Sequence, residues 1–280
     1  MLRRVTAEID LDLSGPADLV FSISVADHVR RERERLSFEG ADGEVAPRLI
    51  RDASGTRLHR VAAAPGVLRV RYEADVAPPT STPEVTELDT LAYLRPSRYC
   101  PSDEVFAHAR AHFHGLSGRE LVRAVAQYAE RSITYSPGLS RGTDTAATTL
   151  ATGRGVCRDY AHVVIALLRA MDVPARYAAC YAPGLVPMDF HAVAEVFLEG
   201  GWYVIDATGL ADRRTLVRIA TGRDAADCAF LSFHGAHVAL ERLHVDAALI
   251  RDAADPPADA EGVDSPASAP DSSAALVALP

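Results

Sequence analysis

The chain has 280 residues, 48% hydrophobic and 24% charged, with 29 Lys plus Arg against 38 Asp plus Glu and a net charge of −9. This is a globular mixture with enough apolar side chain for about one to two domains, and its acidic balance argues against general binding to a nucleic-acid backbone, which needs clustered cations. All 29 cations are arginine, asparagine is absent and Gln127 is the single glutamine, which excludes a Schiff-base lysine, a P-loop lysine and a Cys-His-Asn triad.

The opening segment MLRRVTAEIDLDL lacks the continuous apolar stretch of a secretory signal. It alternates instead: Val5, Ala7, Ile9, Leu11 and Leu13 against Thr6, Glu8, Asp10 and Asp12, a period of two that marks a strand buried on one face. Leu19, Phe21, Ile23 and Val25 repeat the pattern after a Ser-Gly-Pro turn, and Leu68, Val70, Tyr72, Ala74 and Val76 repeat it again. These signals predict a small antiparallel sandwich or barrel over residues 1–80, ending at the stiff stretch PPTSTP. Ser117-Gly-Arg-Glu120 has the spacing of a capping box, and Leu121, Val125 and Tyr128 follow at helical intervals. A second helix is expected over about Arg158–Met171, then strands near Ala175–Tyr181, Phe190–Leu198 and Trp202–Ala207. Residues 251–280 hold five prolines, one arginine and six acids. This composition predicts a disordered tail with a sticky end at Ala274–Leu279. No apolar run approaches the roughly 18 residues of a membrane span. The four cysteines, Cys100, Cys157, Cys180 and Cys228, form no CxxC pair and suggest no disulfide framework. The expected compartment is the cytoplasm, with neither membrane nor nucleic acid as a partner.

Chemistry concentrates in two blocks. In GRGVCRDYAHVVIALLRAM, residues 153–171, Cys157 stands where the helix starts, and Ala161, Val164, Leu168 and Met171 continue its stripe toward the core. A sulfur at the positive end of a helix is stabilised as a thiolate, and the free N–H groups there can hold an oxyanion. A cysteine on an apolar stripe is more often a small buried hydrophobe, so position alone does not make it a nucleophile. The second block is DFHAVAEVFLEGGWYVIDAT, residues 189–208, which places His191, Val193, Glu195 and Phe197 on one strand face. A two-residue loop at Glu199-Gly200 pairs residues whose numbers sum to 399, and His191 and Asp206 become diagonal neighbours about 7–8 Å apart at Cα. A loop at Gly200-Gly201 lengthens that diagonal, and a three-residue loop puts the two on opposite faces. Asp189, two residues from His191, is the runner-up carboxylate. Glu195 shares the face but lies about 13 Å along the strand. A lone strand histidine is usually satisfied by backbone or solvent, and an Asp at a strand end is usually a turn residue. Together, the order Cys, His, Asp makes a coherent nucleophile, base and orienting carboxylate.

Gly155-Val-Cys-Arg-Asp-Tyr-Ala-His162, Leu168-Arg-Ala-Met-Asp-Val-Pro-Ala-Arg176, Phe190-His-Ala and Trp202-Tyr-Val-Ile-Asp206 resemble the bacterial transglutaminase-like cysteine peptidase superfamily. Leu94-Arg-Pro-Ser-Arg-Tyr-Cys-Pro-Ser102 resembles the start of that domain, and residues 1–80 are similar to the N-terminal β-rich domain of bacterial members. The resemblance implies an α+β chain in three parts. Residues 1–80 form an antiparallel β-sandwich or barrel-like domain, 81–250 a papain-like domain of helix plus antiparallel sheet, and 251–280 the tail. It implies Cys157 as nucleophile, His191 as base and later acid, and Asp206 as the group that fixes the imidazole. Two departures stand out: His191-Ala-Val193 replaces the His-Ala-Trp of many members, and Gln127 is too far ahead of Cys157 to serve as the oxyanion glutamine. The Cys157 backbone N–H is then the oxyanion donor, and Tyr135 is the one side chain named as a candidate.

The expected activity is attack on a peptide or protein amide through a thioester, with hydrolysis favoured over Gln–Lys crosslinking, and no cofactor. The alternatives are a peptide-binding scaffold that has lost reactivity and acyl transfer from a small thioester donor. His162 faces another side of its helix and is expected to be structural, Arg158 and Asp159 to serve the first helical turn, and Cys180 and Cys228 to be buried thiols. His108 and His112 stand at i, i+4 with His114 nearby but lack an acid in a useful third position, so no metal site is expected.

Overall fold

The alternating N-terminal segment forms the strand it predicts. In this computed structural model, which describes residues 1–78, 85–250 and 277–279, β1 (Leu2–Leu13) fully buries Val5, Ala7, Ile9 and Leu11. The chain continues through β2 (Ala17–Phe21), β3 (Arg31–Gly40), β4 (Gly43–Glu44), β5 (Arg48–Arg51), β6 (Arg57–Ala63) and β7 (Gly66–Val76). Helices α1 (Glu87–Ala92), α2 (Phe106–Phe113) and α3 (Gly118–Ser132) follow. Then come β8 (Thr134–Tyr135), α4 (Ala146–Thr152), β9 (Arg154–Gly155) and α5 (Cys157–Ala170). The last strands are β10 (Ala175–Tyr181), β11 (His191–Leu198), β12 (Gly201–Ile205), β13 (Val217–Gly222), β14 (Leu231–Gly235) and β15 (Val238–Ile250).

The β-rich part is an antiparallel sandwich. One sheet runs β15-β1-β7-β3-β4 and the other β14-β2-β6-β5. Their inner faces meet through Ile9, Leu11, Leu19, Phe21, Val61 and Val70 in one apolar cluster, the packing expected when strands alternate apolar and polar residues. The sequence division put residues 81–250 together, but β15 pairs with β1 from Leu2↔Ile250 to Leu13↔Val238, and β14 pairs with β2. Residues 231–250 therefore return to the sandwich, because β1 and β2 each offer a free edge there. The expected boundary at PPTSTP falls largely on residues 79–84, outside the described residues. So does the expected tail, except for residues 277–279.

Between these strands lies the papain-like part, a sheet of order β12-β11-β10-β13 with α5 against it. Helix α5 departs from the one-sided stripe of the sequence reading: every residue from Asp159 to Ala170 is buried, because α2, α3 and α4 pack around it as well as the sheet. Helix α3 starts at the expected Ser117, yet that hydroxyl makes no capping bond. Gly118 follows with φ +54°, outside the helical region.

The two parts are bonded to each other. Tyr181 Oη donates to the Ile23 carbonyl at 2.7 Å, the Ala26 N–H donates to the Arg218 carbonyl at 2.9 Å, and the Tyr72 and Tyr181 rings stack at 6.2 Å. Ile23 and Val25, expected to prolong β2, are instead buried at this junction. Among the described residues no helix is long and apolar enough to cross a membrane.

Candidate active site

The start of α5 is built by glycine and a buried acid. Gly153 closes α4 in the left-handed region at φ +65°, and β9 pairs in parallel with β8, bringing Tyr135 beside Gly155. A Cβ on Gly155 would meet Asp159 Cβ at 2.5 Å, so only glycine fits there. The Asp159 carboxylate accepts from the Val156 N–H at 2.8 Å and from Ser140 Oγ at 2.5 Å, and its charge complements the helix dipole. Arg158 Nη2 donates to Ser140 Oγ at 2.8 Å and to the Arg141 carbonyl at 2.6 Å. Asp159 serves the first turn, as the sequence reading expects, whereas Arg158 ties the helix start to residues 140 and 141. Cys157 emerges partly exposed at this helix start, whereas Cys100, Cys180 and Cys228 are buried, and burial pushes those three thiols up from their ordinary value. A thiol that is to react must be reachable, and Cys157 is the one that is.

The hairpin register puts histidine and aspartate together. β11 and β12 pair as Ala194↔Ile205, Glu195↔Val204, Phe197↔Trp202 and Leu198↔Gly201, every pair summing to 399. The loop residues Glu199 and Gly200 have φ +52° and +85°, the signature of a two-residue type I′ turn. His191 Nε2 then lies 2.8 Å from Asp206 Oδ2, and the two side chains are 1% and 2% exposed. Asp206 Oδ1 accepts from the Thr208 N–H at 2.9 Å and Thr208 Oγ1 at 2.6 Å. Burial opposes the charge on Asp206, but His191 and Thr208 outweigh it and hold the carboxyl below its ordinary value. Burial likewise opposes the imidazolium, but hydrogen bonds to Asp206 and Cys157, with their charges, lift His191 to about 10. Since Nε2 is engaged by Asp206, Nδ1 is the ring nitrogen left to face the Cys157 sulfur.

The other candidates have different employment. Asp189 Oδ1 accepts from the Phe190 N–H at 2.7 Å and closes the turn into β11. Glu195 is fully buried between Arg176 and Arg218. His162 stacks on Tyr99 at 5.3 Å, meets the tilted Tyr177 ring at 5.4 Å and accepts from the Ala225 N–H, and burial lowers it. It is a structural neutral imidazole. His108 and His112 stack on each other beside Tyr128, and among the described residues no group of three ligating side chains is placed to hold a metal ion. Tyr135, only named as a candidate from sequence, belongs at the site. Its phenol oxygen accepts from the backbone N–H of Cys157, which opposes the rise, while burial and the neighbouring Cys157, Asp189 and Asp206 outweigh it and push the phenol up to about 12. It is thus a protonated hydrogen-bond donor near neutral pH. The parallel pairing of β8 with β9 delivers it, a tertiary contact that residue spacing does not reveal.

The sequence profile of the Transglutaminase-like superfamily matches residues 111–207, a span that holds Cys157, His191 and Asp206. A crystal structure from Cytophaga hutchinsonii, named as a "Putative Cysteine Protease", is similar with 31% identity and a TM-score of 0.78, covering 90% of this chain and 92% of that one. The uncharacterized protein ML0607 of Mycobacterium leprae is 28% identical over 160 residues, which is 51% of this chain and 57% of that protein; the match thus spans just over half of that relative. The Cytophaga hutchinsonii likeness extends over the β-sandwich as well as the papain-like part, with both chains covered almost end to end. The chain belongs to the transglutaminase-like superfamily.

Proposed function

We propose that the protein is a thiol-dependent amide hydrolase or acyltransferase that works through Cys157, His191 and Asp206. The observation that carries this reading is the continuous line Asp206–His191–Cys157, with its sulfur end at the partly exposed start of a buried helix. The Cys157 sulfur attacks the carbonyl carbon of a peptide or side-chain amide. The resulting oxyanion receives hydrogen bonds from the Cys157 backbone N–H and the Tyr135 hydroxyl. His191 gives its proton to the departing amine, the C–N bond breaks and a thioester remains. Water attacks next, His191 takes up its proton, and the acid leaves as the Cys157 sulfur is released. Asp206 keeps the ring oriented and stabilises the imidazolium without taking the proton.

Hydrolysis is the favoured outcome because water needs no site of its own, whereas an amine acceptor must be held. The name carried by the Cytophaga hutchinsonii relative, a protease, points the same way. The cytoplasm is the proposed compartment, since four unpaired cysteines, one of them needed as a free thiol, suit a reducing environment.

Alkylation of each cysteine, followed by peptide mass spectrometry on the folded protein across pH, tests this reading. Cys157 is expected to react faster than free cysteine at neutral pH, and His191→Ala to slow it to the rate of a common thiol. An inert or ordinary Cys157 in the wild type overturns the enzyme in favour of a binding scaffold. Tyr135→Phe keeps the ring and loses the donor; kcat is expected to fall roughly 10- to 100-fold with KM little changed. A change confined to KM would assign Tyr135 to substrate binding instead.

A further inference from the structure

The sheet face from which His191 projects is covered further along by a segment remote in sequence. Residues 277–279 lie against it. The Val204 N–H donates to the Val277 carbonyl at 2.7 Å, so this segment engages the outer edge of β12, the terminal strand of its sheet. Leu279 is 2% exposed and shares one apolar cluster with Ala178, Cys180, Leu185, Val193 and Val204. Arg218, itself 1% exposed, donates through Nη2 to the Leu279 carbonyl at 3.2 Å while pairing with Glu195.

These attachments converge on the site. In the sheet register Cys180 stands opposite His191 and Ala178 opposite Val193, so the cluster and His191 occupy one face. Cys180 Sγ donates to the His191 carbonyl at 3.6 Å. Leu185 and Met188, which packs on the cluster, belong to the segment that runs into His191. Leu210 and Ala211, also packed there, belong to the segment that leaves Asp206.

We propose that residues 277–279 are a clasp that positions the His191–Asp206 pair: docked on the sheet face and edge, they fix the two segments that deliver those side chains. The clasp rests on the function proposed above. It touches no reacting atom, so Leu279 is a positioning residue. Docking satisfies a strand edge and removes an apolar side chain from water. The sandwich strand β15 ends at Ile250, and 26 residues separate it from Val277.

The test is full-length Leu279→Asp, whose carboxylate does not tolerate the apolar cluster, compared with the wild type. Amide hydrogen exchange at residues 185–193 and 204–211 is expected to quicken, most at Val204. Cys157 alkylation at pH 6 is expected to slow by roughly 10- to 100-fold, the scale of a misplaced catalytic group. A synthetic peptide of residues 274–280 in excess restores both. Leu279→Ala, which removes contact without burying charge, shifts both in the same direction by less, and Leu279→Met leaves both unchanged. Unaltered exchange in the Asp and Ala variants overturns the clasp, and so does faster alkylation, which would mean that the segment shields the site. If wild-type Cys157 itself reacts as an ordinary thiol, the function fails while the exchange comparison still decides the clasp.

Discussion

Cys157→Ala and His191→Ala are each expected to cut turnover of an amide substrate by roughly 10⁴-fold or more, and the double variant to lose little beyond either single one. The reason is mechanical coupling: without the sulfur there is no acyl acceptor, and without the imidazole there is no proton for the leaving amine. Steady-state kinetics on the four proteins decide it, and multiplicative losses would separate the two residues into independent roles. Asp206→Ala is expected to lower the rate; it also removes the acceptor of the Thr208 N–H and hydroxyl, and the Leu210 N–H to Thr208 Oγ1 bond at 3.3 Å remains in the turn. The pH profile carries a sign. His191 is raised from an ordinary 6.5 to about 10, so the imidazolium pair is complete below 6.5 and its stabilisation disappears as pH rises through about 10. Asp206 is lowered, so its contribution survives into acid below the ordinary carboxylate range. The rate is therefore expected to hold across neutral pH and to fall on the alkaline side near 10.

The second large effect concerns stability. Glu195 is fully buried, accepting from Arg176 Nε at 2.7 Å and from Arg218 Nη1 and Nη2 at 2.8 and 2.7 Å. Arg176 also lies over the Trp202 ring at 4.1 Å. Glu195→Gln removes the carboxylate charge that two buried guanidinium groups share and is expected to cost roughly 3–5 kcal/mol. Urea denaturation at neutral pH measures it, and a loss under about 1 kcal/mol would show that solvent or rearrangement compensates. Burial opposes the Glu195 charge, but the two arginines outweigh it and bring the carboxyl from 4.5 to about 2. Its stabilisation is therefore present above pH 4.5 and is lost as pH falls through about 2. The wild type sheds that component in acid, and Glu195→Gln has none to shed.

What was legible in the sequence was local. Strands β1 and β7 alternate cleanly because one face meets the core and the other meets water. The β11–β12 hairpin was readable as a hairpin, but its register was one of three loop choices; the two-residue turn at Glu199-Gly200 is the one that carries His191 to Asp206. Strand β3 escaped because RERERLSFEG is charged on both faces and fully covers only Phe38. Strand β13 escaped because both its faces are buried, which erases alternation. The pairings of β14 and β15 with β2 and β1 join residues more than 200 positions apart, and no local pattern encodes such a partner. Glu195 looked like a possible partner for His191 because it shares its face; its true partners, Arg176 and Arg218, come from neighbouring strands. The place of Leu279 was hidden for the same reason: its neighbours are set by tertiary contact.

The return of β15 to β1 also decides how the molecule can be divided. The papain-like part enters and leaves through the sandwich, so it is an insertion between two strands of a folded host rather than a bead after a linker. Cutting near residue 80 would not release two independent pieces. One fragment would keep β1 without its long partner, and the other would keep β15, 13 residues long, as an unpaired edge of the kind that drives strand-to-strand association. Papain-like part and sandwich are thus expected to fold and unfold together, and recombination that treats this chain as modular would have to carry both flanks.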